Sequence, residues 1–348
     1  MPLYWLRQDC QGCAGCCCRD VSSSLNSREW SLPMSRLINF GSLCIDWVYQ
    51  VPNIVAAGET ISSSSRAVHP GGKGLNQSIA AALAGADVMH FGAVGTDGAA
   101  LLQALDDAGV NTQGIVQLED GSGHALIQVD PSGRNAIVIY PGANRSVPQS
   151  QWQLMFDALQ ADDWLLLQNE TNDIGEILAF GKQRGAKMAI NLAPADDRIG
   201  DYPIQHAALL IVNEIEAMAL AAMSTVKSAF VELRQRYPDT DIVLTLGSDG
   251  LWCTLANQSA VTILDSYQVA AVDETAAGDA FIGYLMAALI AKQNMPEALR
   301  QACAAGALAV TQAGAASSLP TQEQVETLLL DSSPAMRHLE FDDFKRQM

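Results

Sequence analysis

The feature that most constrains the fold of this chain is a regular alternation of short apolar runs and helical patterns after residue 149. The β-rich runs are DDWLLLQ, KMAINLA, ALLIVN and DIVLTLG, and patterns such as TNDIGEILAFGKQRG and NEIEAMALAAM separate them. Two Ala-rich helices are predicted near Gly278–Lys292 and Pro296–Gln312. Strands that alternate with helices form a mostly parallel sheet covered on both faces, which binds ligands at the carboxyl ends of its strands. We therefore predict an α/β fold with this arrangement.

The first half of the chain predicts a second, smaller sheet. The apolar stretch RLINF, a Gly-Ser turn and a further extended stretch are a typical beginning of an α/β domain. Farther on, HALIQVD and NAIVIYPG flank the turn PSGR, which indicates a hairpin. We expect a small β-sheet built from segments within about 46–70 and 122–145 to project from the main domain.

Both ends of the chain are predicted to lie outside the folded domain, which we place at residues 34–331. Residues 332–348 are interpreted as a polar tail, and residues 1–33 as a disordered Cys/Ser-rich tail or an upstream extension. Five of the eight cysteines fall within DCQGCAGCCCRD. Its CxxCxxC spacing resembles an iron–sulfur run, but Asp20 stands where the fourth cysteine would be. Zinc would need four ligands, of which Cys17 or Cys18 could supply one.

Charge and hydropathy exclude several classes of partner. The chain has 20 Lys and Arg against 38 Asp and Glu, a formal net charge of −18, which opposes binding to nucleic acid or anionic lipid. Its most apolar helical stretch, AFIGYLMAALIA, is shorter than the about 18 residues that a bilayer requires. Beyond the N-terminal cluster, Cys44, Cys253 and Cys303 are widely separated, which fits a reducing cytoplasm. We therefore predict a cytoplasmic protein without nucleic-acid or membrane partners.

The stretch AVDETAAGDAFIGYL carries the strongest chemical signal. We expect an apolar strand to end here and the small residues Ala276, Ala277 and Gly278 to lead into a helix. Small residues let a ligand approach the backbone, and the free N–H groups of a helix start bind anions. Asp279 would then serve as a base for a hydroxyl that attacks a bound phosphoryl group. The alternative is that Asp279 only favours the start of the helix.

A second motif, HPGGKGLNQSIAAALAGA, places two glycines before Lys73 and starts a helix near Asn76. It lacks the GxxxxGK[ST] pattern of a Walker loop. Lys73 and Asn76 would suit a hydroxyl-rich ligand, because they offer donors and Asn76 also offers an acceptor. The alternative is an ordinary turn into a buried helix.

Two shorter motifs lie at the ends of predicted strands. VNEIEA places Asn213 and Glu216 three residues apart, where they could orient the water shell of a Mg²⁺–phosphate group or simply occupy a first helical turn. TLGSDG, residues 245–250, is a strand followed by a glycine turn. It could cover the phosphates of a nucleotide or only reverse the chain.

Taken together, the motifs resemble the ribokinase family of carbohydrate and nucleoside kinases, in order and spacing, from about Arg36 through LPTQEQVETLL. The matching stretches are FGSLCID, GGKGLNQ, PGAN, LLLQNE, NLAPA, NEIEA, TLGSDG and AVDETAAGD, and then AVTQAGAASS. GGKGxNQ together with AAGD is most similar to the ribokinase branch. The resemblance implies a three-layer α/β/α sandwich with a β-sheet lid over the sugar, which often forms a homodimer interface.

The resemblance also implies a set of site residues. Asp279 would be the base, and the backbone amides of Ala276, Ala277 and Gly278 would form an anion hole for the transferred phosphate. The implied sugar-binding residues are Asp46, Gly72, Lys73, Asn76, Glu170 and Asp279. The implied ATP-binding residues are Asn191, Asn213, Thr245, Gly247, Gly250 and Gly278. Glu216 would hold Mg²⁺ through water, and an activating K⁺ would be held, largely by carbonyls, by Asp273, Thr275, Val310, Ala313 and Ser318.

The implied activity is ATP-dependent phosphorylation of a primary hydroxyl of a sugar, with the 5-hydroxyl of ribose as the first choice. Family members usually have Asn two residues before the sugar-binding Asp46, whereas this chain has Cys44. A ketohexose, a deoxy sugar or a nucleoside is therefore an alternative acceptor. A non-catalytic sugar or nucleotide sensor is a further alternative, and an oxidoreductase is disfavoured because no GxGxxG follows the first strand.

Overall fold

The alternating apolar runs form the centre of the main sheet in the computed structural model, which describes residues 35–346. The predicted N-terminal tail, its cysteine cluster and Met34 lie outside the described residues. In chain order the strands are β1 (Leu37–Phe40), β2 (Cys44–Gln50), β3 (Ser65–Gly71), β4 (Val88–Val94), β5 (Asn111–Gln117), β6 (Gly123–Val129), β7 (Asn135–Tyr140), β8 (Trp164–Gln168), β9 (Lys187–Asn191), β10 (Leu209–Asn213), β11 (Asp241–Thr245), β12 (Leu251–Thr254), β13 (Ala260–Leu264) and β14 (Met336–Glu340).

Helices connect most of these strands. They are α1 (Lys73–Leu83), α2 (Ala99–Asp107), α3 (Gln149–Ala158), α4 (Ile174–Arg184), α5 (Glu214–Ala221), α6 (Val226–Arg236), α7 (Ala277–Ile290), α8 (Met295–Ala309), α9 (Gln322–Asp331) and α10 (Phe341–Arg346). Among residues 35–346, no helix combines the length and the apolar character needed to cross a membrane.

Ten strands form one large sheet in the order β14-β13-β12-β11-β10-β9-β8-β1-β4-β5. The pairs from β11 through β5 are parallel, and the pairs from β11 to β14 are antiparallel. Because parallel strands end at the same edge, Gln168, Asn191, Asn213 and Thr245 all reach the carboxyl edge of the sheet. This edge is where the sequence predicts ligand binding.

Both faces of the large sheet are buried under helices. Leu37 and Leu166 point into a core formed with α1, α7 and α8, whereas their neighbours Ile38 and Leu167 point into a second core formed with α3, α4 and α6. Successive side chains of a strand point to opposite faces, so continuous apolar runs are the sequence pattern of strands buried on both sides. The predicted three-layer α/β/α fold is confirmed.

A separate sheet of four strands, in the order β3-β2-β6-β7, forms the lid sheet. β6 and β7 form the hairpin predicted around PSGR, and β2 pairs antiparallel with β3 and parallel with β6. Val68, Leu126 and Val138 lie in one cross-strand row with Trp47 and are 49%, 38% and 68% exposed. The lid sheet is confirmed, and it leaves apolar side chains exposed.

Two expectations about local structure are wrong. Residues 336–340 of the predicted polar tail pair antiparallel with β13, and Phe344 is buried, because the edge of the sheet and an apolar groove were available to them. In AVDETAAGD, no strand precedes the helix. The amides of Val272 and Asp273 donate to the Val310 carbonyl at the end of α8 instead of to a neighbouring strand.

Candidate active site

The N-termini of α1 and α7 meet at Asp279, a buried residue in the first turn of α7. Its Oδ2 accepts a hydrogen bond from Asn76 Nδ2 and its Oδ1 accepts one from Gln77 Nε2, both at 2.9 Å. The helices cross closely, since a Cβ placed on Gly283 would lie 2.4 Å from Ala80 Cβ. Each carboxylate oxygen has a second acceptor site. Asp279 is therefore held by two amides and can still accept a proton.

Gln77 is a site residue that sequence reasoning missed, although it lies in the quoted motif GGKGLNQ. Its Oε1 accepts from Gln168 Nε2 at 2.8 Å, and Gln168 Nε2 also donates to Asn39 Oδ1 at 2.9 Å. Asn39 Nδ2 donates to Ser78 Oγ at 2.8 Å. Gln77, Gln168, Asn39 and Ser78 are fully buried. We call these four residues the amide network.

The amide network ends at His90, whose Nδ1 lies 2.8 Å from Ser78 Oγ. Burial lowers the pKa of His90 to about 4, so its ring is neutral at physiological pH. A neutral ring leaves the whole network without a formal charge between His90 and the Asp279 carboxylate. Buried polar groups that are mutually hydrogen-bonded are rigid, because breaking one bond leaves its partners unsatisfied.

Acidic side chains also lie close to Asp279. Glu170 Oε2 accepts hydrogen bonds from Ser42 Oγ and, at 3.1 Å, from the backbone amide of Lys73. Burial, together with repulsion from Glu170 and Asp279, raises the pKa of Asp46 to about 7. The predicted sugar-binding residues Asp46, Glu170 and Asn76 are thus close to Asp279. Gly72 forms the turn into α1 with φ +96°, where a Cβ would lie 2.9 Å from the Cys44 amide nitrogen.

Cys44 occupies the position where family members usually have asparagine. The side chain is buried, and Asn144 Nδ2 donates to its Sγ at 3.5 Å. Burial and the nearby Glu170 and Asp46 raise the pKa of this thiol. The thiol is therefore neutral and offers only weak hydrogen bonding at this position.

Lys73 and Glu216 lie near Asp279 as well, and Asn213 bonds Glu216. Burial lowers the pKa of Lys73, but attraction to Asp279, Glu170 and Glu216 outweighs it and raises the pKa, so the amine is charged. Burial raises the pKa of Glu216 despite hydrogen bonds from Asn213. Asn213 and Glu216 form a capping box, in which each side chain bonds the backbone amide of the other. Asn213 and Glu216 therefore cap the first turn of α5, which was the alternative interpretation, and Glu216 also lies near Asp279 and Lys73.

A cleft of about 330 Å³ opens at the N-terminus of α7. It contains the predicted nucleotide residues Thr245, Gly247, Gly250 and Gly278, together with Ala277. Asn213 and Asn191 are not among the residues that line it. Asn191 is instead joined to the amide network, because its Oδ1 accepts from Gln77 Nε2 at 3.3 Å. A Cβ at Gly278 would meet no atom within 4 Å, so the backbone there is open to a ligand.

The walls of the cleft are largely apolar and were missed by sequence reasoning. They include Tyr267, Val269, Phe281, Cys303 and Ala307, from the loop after β13, from α7 and from α8. Tyr267 is buried, and its hydroxyl has no hydrogen-bond partner within the described part of the chain. The wall residues are of the same types as ordinary core residues, so no sequence pattern marks them as part of a ligand site.

The predicted K⁺ ligands lie on two adjoining loops. Asp273 Oδ2 accepts from the Gly314 amide at 2.9 Å, and its Oδ1 accepts from the Thr275 amide and hydroxyl. These hydrogen bonds outweigh partial burial, which acts in the opposite direction, and lower the pKa of Asp273. Carboxylate and carbonyl oxygens suit a hard cation. Val310 fits less well, because its carbonyl already accepts two amide protons.

Ala276, directly before α7, has φ 61° and lies in the left-handed region. This conformation orients the first turn of α7, which carries the remaining predicted anion-hole residues. The Ala277 amide donates to the Glu274 carbonyl at 3.3 Å, a long contact that a phosphoryl oxygen would have to replace.

Known proteins resemble this chain over most of its length. The family described as pfkB family carbohydrate kinase matches residues 34–322. The chain is 34% identical over 295 residues to a ribokinase of Haemophilus influenzae, covering 82% of this chain and 95% of that protein. It is 28% identical over 300 residues to a deoxyribokinase of Salmonella typhi, covering 83% and 97%.

Solved structures show the same relationship. A structure of Arabidopsis thaliana ribokinase complexed with ribose and ATP superposes with a TM-score of 0.76 at 25% sequence identity, covering 85% of this chain and 98% of that one. The predicted family is therefore confirmed, and this chain belongs to the pfkB family of carbohydrate kinases.

Proposed function

We propose that this enzyme transfers the γ-phosphoryl group of ATP to the 5-hydroxyl of ribose. The observation that carries the proposal is the position of Asp279, whose carboxylate is held by two amides between an acid-lined pocket and an open cleft. The names of the related ribokinases, one of them complexed with ribose and ATP, support ribose as the acceptor.

The acid-lined pocket suits a polyhydroxyl ligand. Asn76 Oδ1 is buried and has no hydrogen-bond partner within residues 35–346, so a sugar hydroxyl that donates to it would satisfy it. Asp46 and Glu170 offer acceptors for further hydroxyls, and the Lys73 amine offers donors. These groups would orient the sugar with its primary hydroxyl toward Asp279.

Asp279 would accept the proton of that hydroxyl as its oxygen attacks the γ-phosphorus. The N-terminus of α7 faces the transferring group, and the helix dipole stabilises the negative charge there. Amides of Ala276, Ala277 and Gly278 would donate to the phosphoryl oxygens. Closure of the lid sheet would exclude water, which otherwise competes as the phosphoryl acceptor.

The cation sites are part of the proposal. Mg²⁺ bound with ATP would neutralise charge on the phosphates, and Glu216 with Asn213 would hold it through water. In residues 35–346 no cluster of three or more His, Cys, Asp or Glu side chains could hold a metal, which suits a cation held mainly by phosphates and water. Asp273, Thr275, Ala313 and Ser318 would hold K⁺ beside the anion hole.

A homodimer formed through the lid sheet is also proposed. Val68, Leu126 and Val138 form an exposed apolar face, and exposed apolar patches commonly mark interfaces. We also propose that the enzyme is cytoplasmic, because the widely separated Cys44, Cys253 and Cys303 fit a reducing compartment.

A second candidate acceptor is 2-deoxyribose. Cys44 favours it, because a neutral thiol replaces an amide that could bond a sugar hydroxyl. The similarity to a deoxyribokinase supports the same alternative.

A panel of sugars decides between these acceptors. Ribose, 2-deoxyribose, fructose and nucleosides would be compared by kcat/KM in a coupled ADP-release assay, with and without K⁺. We expect ribose to give the highest value. A higher value for 2-deoxyribose would select the alternative, and no turnover with any acceptor would contradict the proposed function.

Asp279→Asn tests the proposed base. We expect kcat to fall by roughly 10³-fold, since general bases contribute about 10²- to 10⁴-fold, while ribose and ATP still bind. Asp157→Asn, which removes a carboxylate that is 66% exposed on α3, is the matched control and should leave kcat unchanged. Near-normal kcat in Asp279→Asn would rule out this residue as the base.

A further inference from the structure

The C-terminal segment, residues 332–346, lies beyond the residues that match the family, which end at 322. It contains β14 and α10 and follows α9. β14 pairs with β13 along its whole length, from Ala260 opposite Glu340 to Leu264 opposite Met336. The segment therefore adds an outermost strand to the large sheet. The first residue of this strand, Met336, lies opposite Leu264, directly before the loop that follows β13.

Phe344 anchors the C-terminal segment to the domain. Its side chain is 3% exposed, and its ring packs edge-on against Phe230 and Trp252, with centroid distances of 5.6 and 5.0 Å. The Lys227 amine lies 4.7 Å from the centre of the same ring. Buried aromatic contacts of this kind fix the position of the preceding strand.

The first part of the segment holds one wall of the nucleotide cleft. The Asp265 amide donates to the Ala335 carbonyl at 3.0 Å, and Arg337 Nη2 donates to Asp265 Oδ1 at 2.8 Å. The two residues after Asp265 are Ser266 and Tyr267, which line the cleft. The position of the loop after β13, which forms this wall, therefore depends on contacts with residues 335–337.

The same part of the segment also contacts α8, which forms a second wall of the cleft. Arg300, on α8, donates through Nη1 to Ser333 Oγ and to the Pro334 carbonyl, both at 3.0 Å. Cys303, three residues farther along α8, lines the cleft, as do Gly306 and Ala307. Residues 333–337 consequently contact two walls of the cleft that belong to different elements, the loop after β13 and α8.

These contacts and the Phe344 anchor have different consequences. The Arg337–Asp265 ion pair is exposed, with side chains 61% and 47% accessible, and exposed ion pairs contribute little to stability. A change in these contacts should therefore alter the spacing of the walls more than the stability of the fold. The anchor, in contrast, is part of the core.

We propose that residues 333–337 position the two walls of the nucleotide cleft and so set the affinity for ATP, although none of them lines the cleft. The inference rests on the assignment of this cleft to ATP. Arg300, Arg337 and Asp265 are positioning residues in this scheme, and the sugar pocket is independent of them.

The test is the double variant Arg300→Met and Arg337→Met, which removes the arginine contacts to both walls and keeps Phe344. We expect the KM for ATP and the Kd for ADP to rise three- to tenfold. The KM for ribose, kcat and the thermal midpoint should remain near those of the parent. Arg346→Met is the matched control, because Asp343 of α10 is the one ion-pair partner of Arg346 within residues 35–346, and it should change none of these values.

An unchanged Kd for ADP in the double variant would overturn the proposal, as would an equal rise of both KM values or a lower thermal midpoint without a change in nucleotide affinity. ADP binding is measured by calorimetry without sugar. If the parent enzyme phosphorylates no sugar, the proposed function fails, whereas the ADP titration still tests the role of residues 333–337. Truncation before residue 332 is a poorer test, because it also removes Phe344.

Discussion

The sugar side and the nucleotide side of Asp279 differ in how their residues are held. On the sugar side, the buried amides of Asn76 and Gln77 donate to the Asp279 carboxylate at 2.9 Å, and Gln168 donates to Gln77 at 2.8 Å. On the nucleotide side, apolar side chains form most of the cleft, and residues behind the walls tie the loop after β13 to α8. The positioning hydrogen bonds are thus made by the site residues themselves on the sugar side and by residues outside the cleft on the nucleotide side.

The difference follows from what each side has to recognise. A buried hydrogen-bond network loses several satisfied groups when one member changes, whereas an apolar wall can adjust its packing. The reacting hydroxyl must be held within a few tenths of an ångström of the base, since a displacement of about 1 Å can cost about 10²-fold in rate. We expect substitutions on the sugar side to change rate and those on the nucleotide side to change affinity modestly.

The largest effect is expected from Gln77→Leu. Leucine cannot bond Asp279 Oδ1 and removes one of the two acceptors of Gln168 Nε2, so within the described residues the Asp279 carboxylate keeps only its bond from Asn76 and can turn. We expect kcat to fall roughly 10- to 100-fold with the KM for ATP nearly unchanged. Gln268→Leu, at an exposed glutamine that lines the cleft, is the matched change on the nucleotide side and should leave kcat within about twofold. Equal losses in the two variants would remove the contrast.

A smaller effect is expected from pH. Asp46 has a pKa of about 7, so it is largely protonated at pH 6 and largely ionised at pH 8. If the ionised form binds the sugar hydroxyls, ribose should bind about tenfold more weakly at pH 6 than at pH 8, measured by calorimetry without ATP. Asp46→Asn should bind weakly and equally at both pH values. Equal affinity of the parent enzyme at the two pH values would show that ionised Asp46 is not required.

The same group has an opposite effect on stability. Its pKa in the folded protein, about 7, lies above the ordinary aspartate value of 3.8 that applies in the unfolded chain. The folded form therefore binds the proton more tightly, and the stability from protonated Asp46 is lost as pH rises through about 7. Raising the pH should thus strengthen sugar binding, whereas it should lower the contribution of Asp46 to the free energy of unfolding of the ligand-free protein.

The smallest effect is expected from Tyr267→Phe. The Tyr267 hydroxyl has no partner in the described residues, and removing it also removes its desolvation cost. We expect the KM for ATP to stay within about twofold and the thermal midpoint to rise by roughly 2 °C. A tenfold rise in the KM for ATP would instead show that a buried polar contact holds the nucleotide, as on the sugar side.

The sequence predicted the two sides unequally. Lys73 and Asn76 stand in a glycine-rich motif whose donors and acceptor suit a hydroxyl-rich ligand, and the sequence shows this directly. Gln77 is in the same motif, but its role depends on a contact with a residue 202 positions away, which no local pattern encodes. The cleft walls consist of residues such as Phe281 and Ala307, which have the same sequence signal as any buried helix.

The C-terminal segment shows a different limit. The stretch MRHLE is short and polar, so its own pattern does not predict a strand. It becomes β14 because β13 offers an edge whose amides and carbonyls need partners, and because Phe344 fits against Phe230. The family resemblance implies Asn191 as an ATP-binding residue, but the sequence does not determine that its Oδ1 accepts a hydrogen bond from Gln77.

The left-handed backbone of Ala276 has a consequence for the evolution of the enzyme. For a residue with a Cβ, this conformation lowers the stability of the folded protein by about 1–2 kcal/mol, a cost that glycine would largely avoid. The fold therefore sacrifices stability at the point where the phosphoryl group is proposed to bind, and the surrounding helices must supply it. Selection for thermal stability alone would favour glycine at position 276. Retention of alanine there would indicate selection for a stiff turn ahead of Asp279.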